Sequence, residues 1–300
     1  MVLGAEPGAA RDLVGRSRRT NGRWGRTITR VDPDGAARFR SLVADPESDP
    51  PLDEAALVIA MTANGSDVDA GLARLDELAG NALEFPDART PAGLARVLFV
   101  EWGFAGNTAD YGDPRNSLLP DVLDRRLGLP ITLSVMMIEV GRRIGVTLHG
   151  VGMPGHFIVG VDEPKDGQVA SEFIDPFHAG AVLDRDACRA RFQSQFGNQA
   201  RFSPAMLAPT PARLILLRMV TNLAHTYATR RSPEARWAAQ LRLAFPELPV
   251  EERQRTAEVL ASVGATQDAA EVLDALAAQR APATRDAFNR QAVAYRSRSN

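Results

Sequence analysis

One histidine and one aspartate have the types and spacing that could do chemistry in this sequence. His156 follows a Met-Pro-Gly turn and precedes the apolar run 157–161, whereas Asp175 ends the next apolar run just before Pro176. Two such runs separated by a polar loop are typical of neighbouring antiparallel strands. A carboxylate beside an imidazole orients it as a general base, so we predict a hydrogen bond between His156 and Asp175.

The nucleophile that such a pair would activate is not evident. The single cysteine, Cys188, lies downstream in the segment 184–189, where flanking acidic residues oppose thiolate formation. Thr132 and Ser134, near the start of an apolar helix, carry hydroxyl groups that His156 could activate. Thr132 can equally bond the backbone of its own helix, so both uses remain open.

A metal site is a further alternative for the same residues. His156, Asp175 and His178 are of the imidazole and carboxylate types that bind metal ions. Three ligands around one loop form a weak pattern, and we therefore predict neither a metal nor a cofactor.

Several motifs of the chain closely resemble the SirB-type family, in which a transglutaminase-like domain precedes tetratricopeptide-like helices. They are LFVEWGFAGN (98–107), DYGDPRNS (110–117), GLPITLS (128–134) and FIDPF (173–177). The resemblance extends over roughly residues 50 to 280. It implies an α+β, cysteine-proteinase-like core between an N-terminal helical bundle and C-terminal helical hairpins.

The resemblance also implies which residues form a site. In the wider transglutaminase-like superfamily a cysteine opens the central helix, a histidine starts the following strand and an aspartate closes the next. His156 and Asp175 match this pattern, but Pro130 stands at the cysteine position. Because proline has neither a nucleophilic atom nor a backbone N–H, a cysteine-based mechanism is excluded.

A polar segment before the central helix is the second part of the implied site. A segment this rich in Asp, Asn, Pro and Gly is typical of turns. The family motif alternatively implies that it lines a cleft beside Pro130 and His156. Its polar members are Asn107, Asp110, Tyr111, Asp113, Arg115 and Asn116.

Periodicity predicts the order of the elements. Three helices are expected between residues 53 and 104, the first capped by Asp53, and Ser117 is expected to cap a further helix that ends at Gly128. A strongly apolar helix over 131–144 is predicted to be central, followed by three antiparallel strands within 146–174.

The predicted domain boundaries follow from these elements. We expect a disordered basic arm over 1–35, the bundle and core over 36–208, tetratricopeptide-like helices over 209–280 and a flexible tail over 281–300. The two C-terminal hairpins begin near 213 and 250, a period close to the roughly 34 residues of tetratricopeptide repeats. The Arg-rich arm lacks an apolar stripe, which predicts disorder.

Composition limits the classes of partner. The 35 basic and 37 acidic side chains give a net charge of −2, so no overall field attracts nucleic acid or an anionic membrane. A single cysteine fits a reducing cytoplasm, and no apolar run approaches the roughly 18 residues of a membrane span.

These observations favour a cytoplasmic, non-catalytic or degenerate protein that binds a peptide or protein partner through the old cleft and the helical tail. The alternative is a peptidase-like acyl hydrolase or transferase that uses the His–Asp pair with a hydroxyl or a water. A scaffold without a ligand in the cleft also stays open.

Overall fold

The structure, a computed structural model, describes residues 32–161, 170–279 and 282–298. The predicted basic arm, up to residue 31, and the polar loop within 162–167 lie outside the described residues. Within the part that is described, every helix is too short or too polar to cross a lipid bilayer.

Helices form the N-terminal part of the fold. They are α1 (Pro33–Leu42), α2 (Leu52–Asn64), α3 (Val68–Ala82) and α4 (Pro91–Ala95), which continues as π-helical turns over Arg96–Glu101. Helix α1, whose N-cap is Asp32, was not predicted from the sequence. Because α1 begins at Pro33, the expected disorder over 1–35 is wrong for residues 33–35.

Two predicted helix caps are also wrong. Asp53 lies inside the first turn of α2, where its Oδ2 accepts hydrogen bonds from Arg142 at 2.9 Å and Arg143 at 2.7 Å. The other oxygen, Oδ1, accepts from the adjacent Glu54 N–H at 2.9 Å, so the carboxylate is fixed mainly by charge-assisted bonds to two guanidinium groups. Ser117 instead ends a short 3₁₀ turn, and Leu118 is the residue before the next helix.

That helix, α5 (Leu119–Arg125), ends before the predicted Gly128. Arg126 has a φ of 59° and turns the chain out of the helix. The chain then forms β2 (Leu127–Gly128), which pairs in parallel with β1 (Ala105–Gly106). This pairing closes the base of the polar segment 107–116.

The next helix, α6 (Pro130–Arg143), is the centre of the molecule. Its buried residues lie on more than one face, and it contacts both helices and strands. The prediction of a central apolar helix over 131–144 is confirmed, with a start one residue earlier.

A four-stranded antiparallel sheet follows, with strand order β3-β4-β5-β6. Its strands are β3 (His149–Val151), β4 (Ile158–Gly160), β5 (Glu172–Asp175) and β6 (Ala181–Asp184). The first three were predicted. The fourth was missed because only Leu183 of its residues is buried, so its apolar pattern is weak. Helix α7 (Arg185–Phe196) packs beside β6.

The C-terminal part is helical. It comprises α8 (Ala212–Thr229), α9 (Ala235–Arg242), α10 (Val250–Ser262), α11 (Thr266–Ala278) and α12 (Pro282–Arg296). Helix α8 shares the main hydrophobic core with α2 and α6, whereas α10 to α12 form a second cluster.

The predicted flexible tail over 281–300 is wrong for residues 282–296. Helix α12 packs on α11 and buries Phe288, Ala292 and Tyr295. These residues have the spacing i, i+4, i+7, which places them on one helix face. Abundant arginine around this stripe made the segment look aperiodic.

Candidate functional site

The site is centred on a buried histidine and a buried aspartate at the ends of adjacent strands. His156 lies in the turn before β4, and Asp175 is the last residue of β5; the pairing of Val159 with Ile174 sets these strands side by side. His156 Nε2 lies 2.8 Å from Asp175 Oδ2. The predicted hydrogen bond is confirmed, with His156 8% exposed and Asp175 0% exposed.

Asp175 has more partners than the sequence indicated. Its Oδ1 accepts from the backbone N–H groups of Phe177 at 3.1 Å and His178 at 3.3 Å. Its Oδ2 also accepts from Arg191 on α7 and lies 3.0 Å from His178 Nδ1. Arg191 was missed because no local motif connects an amphipathic helix to an aspartate 16 residues earlier.

Burial keeps the imidazole of His156 neutral. It lowers the pKa of His156 to about 4, and the positive charges of Arg191 and Arg218 act in the same direction. Arg191 also compensates the carboxylate charge that would otherwise favour the imidazolium. The neutral ring donates its Nε2–H to Asp175, which leaves the lone pair on Nδ1.

Arg218 of α8 holds the turn that carries His156. Its guanidinium donates to the backbone carbonyls of Met153 at 3.1 Å and His156 at 3.0 Å. The guanidinium carbon lies 5.5 Å from the ring centroid of Phe157, a cation–π distance. Sequence reasoning missed Arg218, because it comes from a helix more than 60 residues downstream.

Pro130, the first residue of α6, shares a small cavity of about 20 Å³ with His156, Arg218 and Asn222. Neither candidate hydroxyl is among the described residues that line this cavity. Ser134 Oγ donates to the Pro130 carbonyl at 2.8 Å within the helix. Thr132 Oγ1 is buried and has no hydrogen-bond partner among the described residues.

The polar segment divides into residues that build the turn and residues that face the cleft. Asn107 donates to Asn116 at 3.0 Å, and Asn116 donates to the carbonyl of Asp110 at 2.8 Å. Asp113 is buried and pairs with Arg115 at 2.7 Å, and its pKa is lowered by that guanidinium against the opposing effect of burial. The buried residues of this segment therefore stabilise the conformation of the loop 107–116.

Tyr111 is the member of this segment that lines both cavities. A groove of about 320 Å³ runs between the loop and α8, and it shares Tyr111, Leu129 and Asn222 with the small cavity beside His156. The ring of Tyr111 packs edge-on against Phe177, with centroids 5.8 Å apart. The other residues that line the groove are Gly112, His225, Thr226, Thr229 and Arg230.

Cys188 is separated from this cleft. It lies on the buried face of α7, packed in a cluster that includes Met153, Ile158 and Phe173. Burial raises the pKa of Cys188 to about 12, and the charge of Asp184 acts in the same direction. Cys188 therefore stays a thiol at neutral pH.

Comparison with known proteins identifies the fold to which this site belongs. Residues 67–221, just over half of the chain, match the sequence profile of the transglutaminase-like superfamily. The chain belongs to this superfamily. The matched transglutaminase-like domain contains α6, the sheet and most of α8, and thus Pro130, His156, Asp175 and Arg218.

Two bacterial proteins and one human protein are similar in sequence to part of the chain. A UPF0162 protein of Xylella fastidiosa (strain Temecula1 / ATCC 700964) is 41% identical over 169 residues, 55% of this chain and 59% of the relative. One from Pseudomonas aeruginosa is 32% identical over 169 residues, 55% of this chain and 60% of the relative. Human F-box only protein 21 is 30% identical over 131 residues, 42% of this chain and 20% of that protein.

The chain thus spans about three-fifths of the length of these two bacterial relatives. No solved structure matches it.

Proposed function

We propose that this chain is a non-catalytic, degenerate transglutaminase-like protein that binds a peptide segment of a partner protein in the groove between the loop 107–116 and α8. The observation that carries the proposal is the continuity of this groove with the cavity between Pro130 and His156, through three shared lining residues. The old catalytic cleft and the helical tail thereby contribute to one surface.

The residue at the start of the central helix supports the non-catalytic reading. Pro130 opens α6 and lines the cavity that also contains His156, and the family resemblance assigns the cysteine to this position. A proline there has no atom that can attack a carbonyl carbon. Asp175 also accepts hydrogen bonds from the Arg191 guanidinium and from the backbone N–H of His178, so it does not serve His156 alone.

The chemistry of the groove fits an extended peptide. Asn222, Thr226 and Thr229 have the spacing i, i+4, i+7 and line it from one face of α8. Their amide and hydroxyl groups can bond the backbone of a strand-like ligand, with Tyr111 packing against an apolar side chain. A volume of about 320 Å³ lies at the lower end of the roughly 300–1,000 Å³ of ligand pockets, which suits a short segment.

The groove also has a charge preference. Its lining residues include Arg230 and His225, and none of the described lining residues is acidic. Arg230 is held by an exposed ion pair with Asp110 at 3.3 Å, which is weak in water. An acidic side chain of the ligand can replace Asp110 there, so we expect an acidic peptide.

The test begins with a photo-crosslinking residue at exposed Thr229 in the native cell. The crosslinked peptide is identified by mass spectrometry, synthesised and titrated against the purified chain by fluorescence anisotropy. Asn222→Trp, which fills the junction of the two cavities, should weaken binding at least tenfold. Leu214→Trp, on an exposed part of the same helix, is the matched control and should leave the affinity unchanged. Equal affinities of both variants would contradict the proposal.

A second candidate is hydrolysis of an acyl compound by a water activated at His156. The 2.8 Å contact with Asp175 and the neutral ring favour this candidate, because a neutral imidazole with an oriented donor can accept a proton. Peptide or ester cleavage that His156→Gln abolishes would support it. Under the binding proposal, neither the parent chain nor His156→Gln hydrolyses a peptide or an ester.

The finer family assignment and the compartment belong to the same proposal. We propose a SirB-type protein on the ground of the four sequence motifs that resemble that family. Helices α8 and α9 contact each other, as do α10 and α11, which is how tetratricopeptide-like hairpins would be arranged. We propose a cytoplasmic location on the ground of cysteine usage.

A further inference from the structure

We infer that His156, Asp175 and His178 form a binding site for a first-row transition-metal ion, with Zn²⁺ as its representative. The ligand atoms are His156 Nε2, a carboxylate oxygen of Asp175 and His178 Nδ1. Metal binding displaces the proton that His156 Nε2 donates to Asp175 in the metal-free chain, and the neutral ring then carries its proton on Nδ1. None of the three residues is among the described residues that line the peptide groove, although His156 lines the small cavity that adjoins it. Metal binding is measured without peptide, so it is tested separately from the proposed function.

The ligand atoms already have nearly the separation that a metal requires. His156 Nε2 and His178 Nδ1 lie 2.8 Å and 3.0 Å from Asp175 Oδ2, and all three ligand atoms are within 4.8 Å of one another. In a tetrahedral zinc site with bonds of about 2.0–2.1 Å, neighbouring ligand atoms are about 3.3 Å apart. An opening of a few tenths of an ångström would admit the ion.

Further hydrogen bonds and ring contacts fix the orientation of Asp175 and His156. Asp175 Oδ1 accepts two backbone N–H groups, those of Phe177 and His178, which leaves Oδ2 directed at the imidazoles. The ring of His156 packs edge-on against Phe177, with centroids 6.4 Å apart, and Arg218 binds its carbonyl. Outer contacts of this kind reduce the reorganisation that metal binding costs.

A cationic side chain already contacts two of the three ligand residues. The guanidinium of Arg191 donates to Asp175 Oδ2 and lies 2.8 Å from His178 Nδ1. To accept from Arg191, that nitrogen must present its lone pair, which is the form that binds a metal. The Arg191 side chain is 28% exposed, so it can swing into solvent when a metal takes its place.

The ligand types select the metal. Two imidazoles and one carboxylate suit Zn²⁺, Fe²⁺ or Ni²⁺, whereas Mg²⁺ and Ca²⁺ prefer oxygen ligands. The side chain of His178 is 52% exposed, so the remaining coordination positions face solvent. A site with three protein ligands and an accessible fourth position is the expected result.

The experiment uses the full chain without an oligohistidine tag, treated with EDTA and then desalted. Zn²⁺ is titrated at pH 7.5 in competition with a chromophoric chelator. We expect one equivalent to bind, His178→Ala to weaken the affinity at least tenfold and His225→Ala, an exposed histidine on α8, to leave it unchanged. Arg191→Met should strengthen binding at least threefold, because it removes the competing cation.

Two results would overturn the inference. One is an affinity that His178→Ala leaves unaltered, and the other is an Arg191→Met variant that binds no more tightly than the parent. Since His178 is half exposed, its replacement should not impair folding, which circular dichroism verifies. Peptide binding measured on His178→Ala without Zn²⁺ then tests the groove separately from the metal.

Discussion

At the scale of single residues, Asp175 is the group on which the site depends. One carboxylate receives the imidazole of His156, the guanidinium of Arg191 and two backbone N–H groups, and it lies close to His178. Such a hub is stabilising only while all its donors are satisfied. Replacing Asp175 should therefore lower the free energy of unfolding of the whole chain.

We predict that Asp175→Ala lowers the free energy of unfolding by about 1–3 kcal/mol, because it leaves buried donors without an acceptor. Urea denaturation monitored by circular dichroism measures this change. Asp110→Ala, an exposed carboxylate in the nearby loop, is the control and should change it by less than about 0.5 kcal/mol. Equal stabilities of Asp175→Ala and the parent would show that the Asp175 carboxylate does not stabilise the fold by accepting from these donors.

The pKa of His156 predicts a pH dependence. The folded-state pKa of about 4 lies below the ordinary 6.5, so below pH 6.5 the unfolded chain binds a proton that the folded chain does not. This contribution to stability is present above pH 6.5 and is lost as the pH falls towards 4. The stability lost between pH 7 and pH 5 amounts to about 2 kcal/mol.

Denaturation at pH 7 and pH 5, with EDTA present, tests this prediction. His156→Gln, which keeps an N–H donor towards Asp175 but does not titrate, should show a loss of stability between the two pH values that is smaller by that amount. The same loss in both proteins would mean that His156 titrates normally.

The residues that sequence reasoning found and missed differ in the range of their contacts. His156 and Asp175 were found because each ends or begins a strand with a local signal. Arg191 and Arg218 were missed because they reach the site from α7 and α8, and an arginine on an amphipathic helix gives no sign of its long-range partner.

At the scale of elements, α7 carries both the thiol and a partner of Asp175. Arg191 donates to Asp175, whereas Cys188 is buried among apolar side chains that include Ile158 and Phe173. Burial that raises the pKa of Cys188 to about 12 leaves almost no thiolate at pH 8.

We therefore predict that iodoacetamide does not alkylate Cys188 in the folded chain at pH 8 within an hour, and that it does so rapidly in denaturant. Intact-mass spectrometry counts the added groups, and Cys188→Ser is the control. Rapid alkylation of the folded protein, accompanied by loss of peptide binding, would place this thiol in the cleft.

Element boundaries show where local rules were insufficient. Asp53 and Ser117 have side chains that commonly cap helices. Asp53 instead forms ion pairs with Arg142 and Arg143, and Ser117 ends a 3₁₀ turn. The central helix was predictable, since its buried faces are apolar over several turns. The short strand β6 and the helix α12 had too few buried residues for a clear pattern.

At the scale of the whole molecule, α8 packs in the main hydrophobic core and thereby connects the C-terminal helices to it. Its residues Ile215, Leu216 and Met219 belong to the main hydrophobic cluster. At its start, Arg213 is buried and donates to the carbonyls of Val43 and Asp45 and to Glu247. The groove beside His156 exists only while α8 is docked.

We predict that the fragment 209–280 does not fold alone. It lacks the core surface that covers α8, and it lacks α12, which covers α11. The remaining apolar burial cannot offset the roughly 1–2 kcal/mol of entropy for each ordered residue. Circular dichroism of the fragment should show no cooperative melt, and a cooperative helical transition would instead indicate an independent domain.

We propose that the chain retains the frame of a transglutaminase-like site with Pro130 in place of the nucleophile. The most direct measurement is the thiol pKa of Pro130→Cys in a Cys188→Ser background, obtained from the pH dependence of iodoacetamide alkylation. A cysteine at the start of α6 should have a pKa well below the ordinary value of about 8.5, because it can transfer its proton to the neutral His156 and form a thiolate–imidazolium pair, and His156→Gln should raise that pKa. A thiol with an ordinary pKa that His156→Gln does not alter would contradict the claim.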